Sequence, residues 1–284
     1  PDIAATRGAD VTLIQREFVS TLYTLEGLTA RPRVLDVDDA IWLNRGDGAF
    51  ARRLARAVDL VVAGNDFVAA WFGRHGPPTV VVPTAVDTAR FVPAATPADP
   101  PAADPPRPPA VGWTGSSANF PYLLLWEEAL LAALAAVPDL RVRICADRPP
   151  PLARVPADRL DWVRWSPAAE VPFLQALDVG LMPLEDSDWA RGKCAYKMLL
   201  YMACGVPVVV SPVGMNREVL AQAPVGDGAG DARAAAEAII GQLEDPARRL
   251  AMGLSGRRVV QESYSIDVLA PRLAGALRRA AGRD

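Results

Sequence analysis

Short apolar runs, rich in valine, recur along the chain and alternate with stretches whose apolar residues return every third or fourth position. The runs predict strands at 11–15, 34–37, 60–63, 80–82, 110–113, 142–145, 162–164, 179–182 and 206–210. They lack polar alternation, as expected of parallel strands covered on both faces. The intervening periodicity predicts helices at 50–57, 66–72, 123–136, 194–203 and 232–243. A terminal amphipathic helix is expected at 266–281, able to pack on either half of the chain. Strand and helix in repeated alternation predict an α/β fold with right-handed crossovers.

One stretch breaks the alternation. Residues 93–109 are packed with Pro, Ala and Asp, without apolar periodicity, and read as a stiff linker. The expected organisation is a first unit over 1–92 with four strands, the linker, and a second unit over 110–284 with at least five. Such sheets bind ligands beyond the carboxyl ends of their strands. Two facing Rossmann-like units would put chemistry in the cleft between them.

Composition and charge remove several function classes. Thirty basic against 33 acidic residues leave a net charge of −3, without the basic excess of a nucleic-acid surface. The apolar runs are too short to cross a bilayer. Peripheral membrane contact stays open, although no basic amphipathic helix stands out to make it. Cys145, Cys194 and Cys204 are odd in number and lack metal or redox spacing, which fits a reduced, cytoplasmic setting. No signal peptide is read, and a chain starting at Pro1 without Met reads as processed or a fragment. The single histidine, His75, lies in a Gly- and Pro-rich turn and reads as a solvent-facing loop residue, which removes Ser-His-Asp and Cys-His hydrolysis.

The lysines change the picture most. Lys193 and Lys197 are the only two, the other 28 basic residues being Arg. A lysine is a compact point charge where arginine is a planar fork. Two of them four residues apart, one turn apart on the expected helix, point to a cramped anionic target such as a phosphate pair. An ordinary helix with two solvated lysines is the plainer alternative.

Other constellations sit where strands end. Gly112-Trp113-Thr114-Gly115-Ser116 runs from a strand into a glycine and hydroxyl turn before a helix starting near Pro121, suited to close approach by an anion. A purely structural turn fits as well. Ser211 and Gly214 lie at the end of another strand, and Glu218 falls in the following helical turn, where a carboxylate also suits the helix dipole. Asp36, Asp38 and Asp39 close a buried strand of the first unit. Carboxylates there are costly unless paired, hydrated or functional, and Asp-x-Asp also raises a divalent metal as an alternative.

Together these segments resemble glycosyltransferases of the two-Rossmann-domain type, the GT-B fold, in the group 1 or family 4 class. The strongest part is 178–218: a buried strand, Pro-Leu, a Lys-containing helix, Met202-Ala-Cys-Gly-Val-Pro-Val-Val-Val-Ser211, then Gly214 and Glu218. Val82-Pro-Thr-Ala-Val-Asp87 resembles the turn before that family's linker. Gly112-Trp-Thr-Gly-Ser116 resembles the opening turn of its nucleotide-binding domain, and Asp36-Val-Asp-Asp-Ala-Ile-Trp42 a pattern in a subset of members. There are departures. The paired glutamates of many relatives align with Gly192 and Leu200, the Arg and Lys after the first C-domain strand are absent, and Asp38 or Asp39 stands where relatives often carry His. The first unit is expected to lack about the first third of a normal N-domain sheet.

The resemblance implies transfer of a sugar from a nucleoside-diphosphate-sugar donor to an unknown acceptor hydroxyl, with retained configuration and no metal or other cofactor. It gives the leaving diphosphate to Lys193 and Lys197, with Gly112 to Ser116 facing the phosphates. Trp165 and Ser166 would border the base, Glu218 would contact the sugar or ribose, Ser211 and Gly214 would also belong to the substrate-binding set, and Asp38 would orient the acceptor or act as base. The alternatives are a sugar-nucleotide epimerase of the same fold, a non-catalytic sugar-nucleotide-binding paralogue, and a metal-dependent Asp-x-Asp transferase, the last opposed by the two-unit layout.

Overall fold

A computed structural model describes residues 3–16, 25–44, 48–94 and 107–283. The first sheet holds β1 (Thr12–Gln15), β2 (Arg33–Val37), β3 (Leu60–Ala63) and β4 (Thr79–Val81), all parallel and in chain order. The strand period of two gives both faces an apolar load. Leu35, Val37, Val61 and Ala63 pack with α1 (Ala49–Ala57) and α2 (Asp66–Gly73). Val34 and Val62 pack on the opposite side with Ala276 of α11 (Ile266–Ala280), Leu273 and Leu277 adding to the contact. Full burial of an aliphatic side chain contributes about 1.5–3 kcal/mol, so a strand covered on both sides is held by its side chains as much as by its ladder.

The second sheet is six-stranded and parallel, in the order β10-β9-β8-β5-β6-β7. Its strands are β5 (Ala110–Thr114), β6 (Arg141–Ala146), β7 (Leu160–Arg164), β8 (Val179–Met182), β9 (Val208–Val210) and β10 (Gly226–Gly228). Winding starts at β5, runs outward to β7, then returns to β8 on the other side of β5. The carboxyl end of β5 is therefore a switch point, where crossovers leave in opposite directions and a crevice opens. Val111, Trp113, Ile144 and Leu181 form one core with α3 (Phe120–Leu124), α4 (Glu127–Ala136) and α9 (Ala232–Glu244). The opposite face carries Gly112 and Gly180. A Cβ on Gly180 would lie 2.3 Å from the Tyr201 ring, so the glycine lets α7 (Tyr196–Ala203) lie directly on the sheet. The remaining helices are α5 (Pro167–Gln175), α6 (Asp188–Arg191), α8 (Met215–Leu220) and α10 (Pro246–Val259).

The chain forms two compact units with a discontinuous division. One comprises Pro1–Ala85, Asp186–Cys194 and Ile266–Asp284; the other comprises Val86–Glu185 and Ala195–Ser265. The boundaries expected at 92 and 110 do not describe this division, because α11 covers the first sheet and 186–194 packs on it. Within 186–194, Trp189 joins the core of the first sheet, and the carbonyls of Gly192 and Lys193 accept from the Asn65 amide at 3.0 and 3.2 Å. Most of the expected linker lies outside the described residues.

Three expected elements have different ends for local reasons. The strand at 206–210 starts at Val208, since Pro207 has no N–H and joins only through its carbonyl, 2.9 Å from Gly180 N. The helix at 123–136 is broken where Trp126 leaves helical angles, φ −113°, with its indole buried in the core. The helix at 194–203 starts at Tyr196, because Ala195 takes the left-handed conformation at φ 52°. That break overturns one expectation directly. Lys193 precedes the turn and belongs to the first unit, Lys197 is in the first turn of α7 in the second, and the four-residue spacing does not place them on one helical face.

Candidate functional site

In the second unit, the end of β5 is fixed by a buried tyrosine. Tyr201 Oη accepts the Thr114 N–H at 2.9 Å and donates to the Leu181 carbonyl at 3.2 Å. Burial pushes its phenol pKa far up, so it stays a hydroxyl. Lys197 lies one turn before Tyr201 on α7 and is carried to the same strand end. Its Nζ sits 4.9 Å from the centre of the Trp113 ring, a cation–π contact. Gly115 makes this approach feasible, since a Cβ there would lie 2.6 Å from Lys197 Cε and 2.7 Å from the Trp113 ring.

A cavity of about 340 Å³ opens beside these residues, lined by Thr114, Gly115, Ser116, Asp147, Trp165, Glu170, Tyr196, Lys197 and Leu200. Asp147 follows β6 and accepts from Ser117 N at 2.6 Å and from Ser117 Oγ at 2.8 Å, which holds its pKa below the usual carboxylate value. Trp165 follows β7 and is 45% exposed as a residue, its Nε1–H donating to Glu170 Oε1 at 3.1 Å. Glu170 Oε2 accepts from Arg90 Nη2 at 3.0 Å. Burial, with Glu170 close by, raises the Tyr196 phenol. With Glu170 paired to Arg90 and Asp147 tied to Ser117, Lys197 brings positive charge to the glycine turn.

The first unit has its own cavity of about 290 Å³ at the carboxyl ends of its strands. Gln15, Arg16, Asp36, Asp38 and Thr84 form its polar side, and Ile266, Leu269, Ala270 and Leu273 of α11 its apolar wall. Burial and then the charge of Asp38 raise the Asp36 pKa. Asp39 pairs with Arg16 at 3.4 Å. Among the described residues no group of three or more His, Cys, Asp or Glu side chains is placed to hold a metal ion.

The structure thus brings Thr114, Gly115, Ser116, Trp165 and Lys197 to one cavity, and Asp38 to the other. The remaining sequence candidates are placed elsewhere. Trp113 is buried in the core against Phe120, and Gly112 lies beneath Leu177. Ser166 caps α5 by accepting from Ala169 N. Ser211 is buried, its Oγ accepting the Leu184 N–H at 2.9 Å. Gly214 opens α8, and Glu218 sits exposed on that helix. Lys193 lies 5.3 Å over the Trp189 ring in the first unit. His75 is half-buried rather than loop-solvated, stacked on Trp71 at 4.1 Å. Sequence reasoning missed Arg90, Asp147, Glu170 and Tyr196. The position of Asp147 straight after a strand was a usable signal for it; Arg90 and Glu170 gave none until 80 residues of separation closed into a salt bridge.

The two positions that the resemblance aligns with paired glutamates, Gly192 and Leu200, are both closely packed. A Cβ on Gly192 would lie 2.6 Å from Ala40 Cβ and 2.9 Å from Ala40 N, so no acidic side chain fits there without movement. Leu200 is buried and gives the cavity an apolar wall.

Comparison with known proteins agrees with this architecture. The family described as glycosyl transferases group 1 matches residues 109–245. No curated protein sequence matches the chain. Among solved structures, sucrose-phosphate synthase from Thermosynechococcus elongatus is similar with a TM-score of 0.65 at 20% identity, over 87% of this chain and 67% of that one. HepE from Anabaena, solved with UDP-glucose, gives 0.69 at 15% identity over 88% and 72%. A glycosyltransferase from Rickettsia africae gives 0.73 at 12% identity over 98% and 79%. At these identities the likeness is one of fold. Residues 109–245, just under half of the chain, are similar to the group 1 glycosyl transferases, and the chain has the two-Rossmann-unit GT-B glycosyltransferase fold.

Proposed function

We propose that the chain transfers a sugar from a nucleoside-diphosphate-sugar donor, and that the donor nucleotide occupies the cavity at the end of β5. The observation that carries this reading is the meeting of Lys197, the Gly115 turn and the exposed Trp165 ring at one switch-point cavity. Its volume falls within the range of small-molecule sites. Lys197 and the first N–H groups of α7 offer positive potential to a diphosphate whose charge grows as the sugar departs. Trp165 offers an aromatic face to the base, and Ser116 and Asp147 offer polar partners to the ribose. HepE binding UDP-glucose supports this donor class.

The finer parts of the proposal are retention at the anomeric carbon, charge neutralisation by Lys197 rather than a metal ion, and orientation of the acceptor hydroxyl by Asp38. Three buried thiols outside any disulfide support a cytoplasmic setting, and among the described residues no helix is long and apolar enough to cross a membrane.

Incubation with UDP-, GDP- and ADP-glucose, with and without chelator, tests the reading. Release of one nucleoside diphosphate, with the glucosyl group passing to water in the absence of an added acceptor, is expected, unaffected by chelator and lost in Lys197→Ala; release from none of them contradicts turnover of these glucosyl donors. A second reading, a sugar-nucleotide binder without turnover, draws on the packing of Gly192 against Ala40 and on Leu200. It predicts saturable nucleotide binding with no release.

A further inference from the structure

We infer that Arg90 and Glu170 are positioning residues that hold the Trp165 indole as the stacking wall for the nucleotide base, an inference that rests on the donor site proposed above. Trp165 stands at a loop, half out of the protein, and an indole in that setting samples several rotamers unless something fixes it. Here its Nε1–H is held by Glu170 Oε1 at 3.1 Å, and the other carboxylate oxygen takes Arg90 Nη2 at 3.0 Å. The same Arg90 nitrogen donates to the Pro167 carbonyl at 3.0 Å, at the first residue of α5, directly after the loop that carries Trp165.

The support does not end at Arg90. Its backbone N–H is held by Asp87 Oδ1 at 3.1 Å, and Phe91 N–H by the Asp87 carbonyl at 2.9 Å. The Arg257 guanidinium bonds the carbonyls of Thr88, Phe91 and Ala203, tying the 88–91 turn to the end of α7. A turn more than 70 residues upstream in sequence thus reaches the cavity through one ion pair. A carboxylate in the first turn of α5 also suits the helix dipole. The dipole alone does not account for both oxygens being spent on Arg90 and Trp165.

A wall already held costs less to order when a base stacks on it. Stacking on Trp165 matters for ligands that carry a base and is irrelevant to a bare diphosphate, which separates positioning from general damage to the fold. The experiment compares UDP, GDP, ADP and inorganic pyrophosphate by calorimetry on the wild-type chain, Glu170→Ala, Glu170→Gln and Arg90→Gln. Glu170→Ala is expected to lower the ratio of nucleotide to pyrophosphate affinity by about three- to tenfold, the cost of re-ordering one large side chain. Glu170→Gln, whose amide oxygen still accepts from the indole, is expected to restore most of it. A nucleotide-to-pyrophosphate ratio unchanged in Glu170→Ala, with the wild type binding nucleotide, overturns the inference and leaves the donor site standing. Equal loss for nucleotide and pyrophosphate also overturns it, marking Glu170 as a fold residue. A wild type that binds no nucleotide overturns both readings.

Discussion

Tyr201→Phe removes one oxygen from a closed place. The ring stays, so its packing on Gly180 is preserved and no cavity forms. What is lost is the acceptor for the Thr114 N–H and the donor to the Leu181 carbonyl. Thr114 is 3% exposed, so its N–H has little surface through which water could replace the lost partner. A buried donor left without a partner costs about 1–3 kcal/mol. For a unit of this size each kcal/mol shifts Tm by about 2–4 °C, so a fall of about 2–12 °C is expected. Urea titration followed by far-ultraviolet circular dichroism reads the loss as a lower midpoint with unchanged slope. A loss below about 0.5 kcal/mol, within the range of a surface substitution, would refute the reasoning that this hydroxyl anchors the end of β5.

Further outcomes follow from the same geometry. Gly192→Ala is expected to destabilise by about 1–3 kcal/mol, because its Cβ meets the Ala40 backbone; a neutral result in a thermal melt would show that segment 186–194 yields. Cys194 and Cys204 have thiols pushed up to about 12 by burial, so native protein at pH 8 should leave them unmodified by a thiol reagent that labels both on unfolding. Because those folded-state values lie above the ordinary 9.0, their contribution is intact below pH 9 and is lost as pH rises towards 12, at about 1.4 kcal/mol per unit and thiol. Stability in urea should therefore fall through that window and fall less in Cys194→Ala. Trp165→Ala should weaken nucleotide binding about 10- to 100-fold, the worth of one stacked base, with pyrophosphate affinity much less affected.

How much of this was legible in the sequence varied with the physical signal. Strands at 60–63 and 179–182 lie where their valine and leucine runs put them, because burial on both faces leaves no room for polar residues. β10 was invisible: Gly226-Asp-Gly228 has no apolar run, and its place is set by close approach, a Cβ on Gly226 meeting the Val208 carbonyl at 2.1 Å. α5 carries Pro167 and Pro172, and α10 mixes arginine with leucine on exposed positions, so neither shows a clean stripe. At the site, the glycine turn and Lys197 were legible because strand ends and lone charges stand out locally. The pairing of Lys193 with Lys197 was misread because a periodicity argument cannot see one left-handed residue at 195. The Arg90–Glu170–Trp165 chain depends on tertiary contact alone and leaves no local pattern.

The central claim is that the cavity at the end of β5 binds a nucleoside diphosphate through Lys197. Calorimetric titration with UDP, GDP and ADP, without metal, against the wild-type chain and Lys197→Ala tests it most directly. A charge-assisted contact is worth about 1.5–3 kcal/mol, so the account predicts binding of at least one nucleotide, weakened about 10- to 150-fold by the substitution, with the thermal melt unchanged. Equal affinity in the two proteins, or no binding to either, would contradict it.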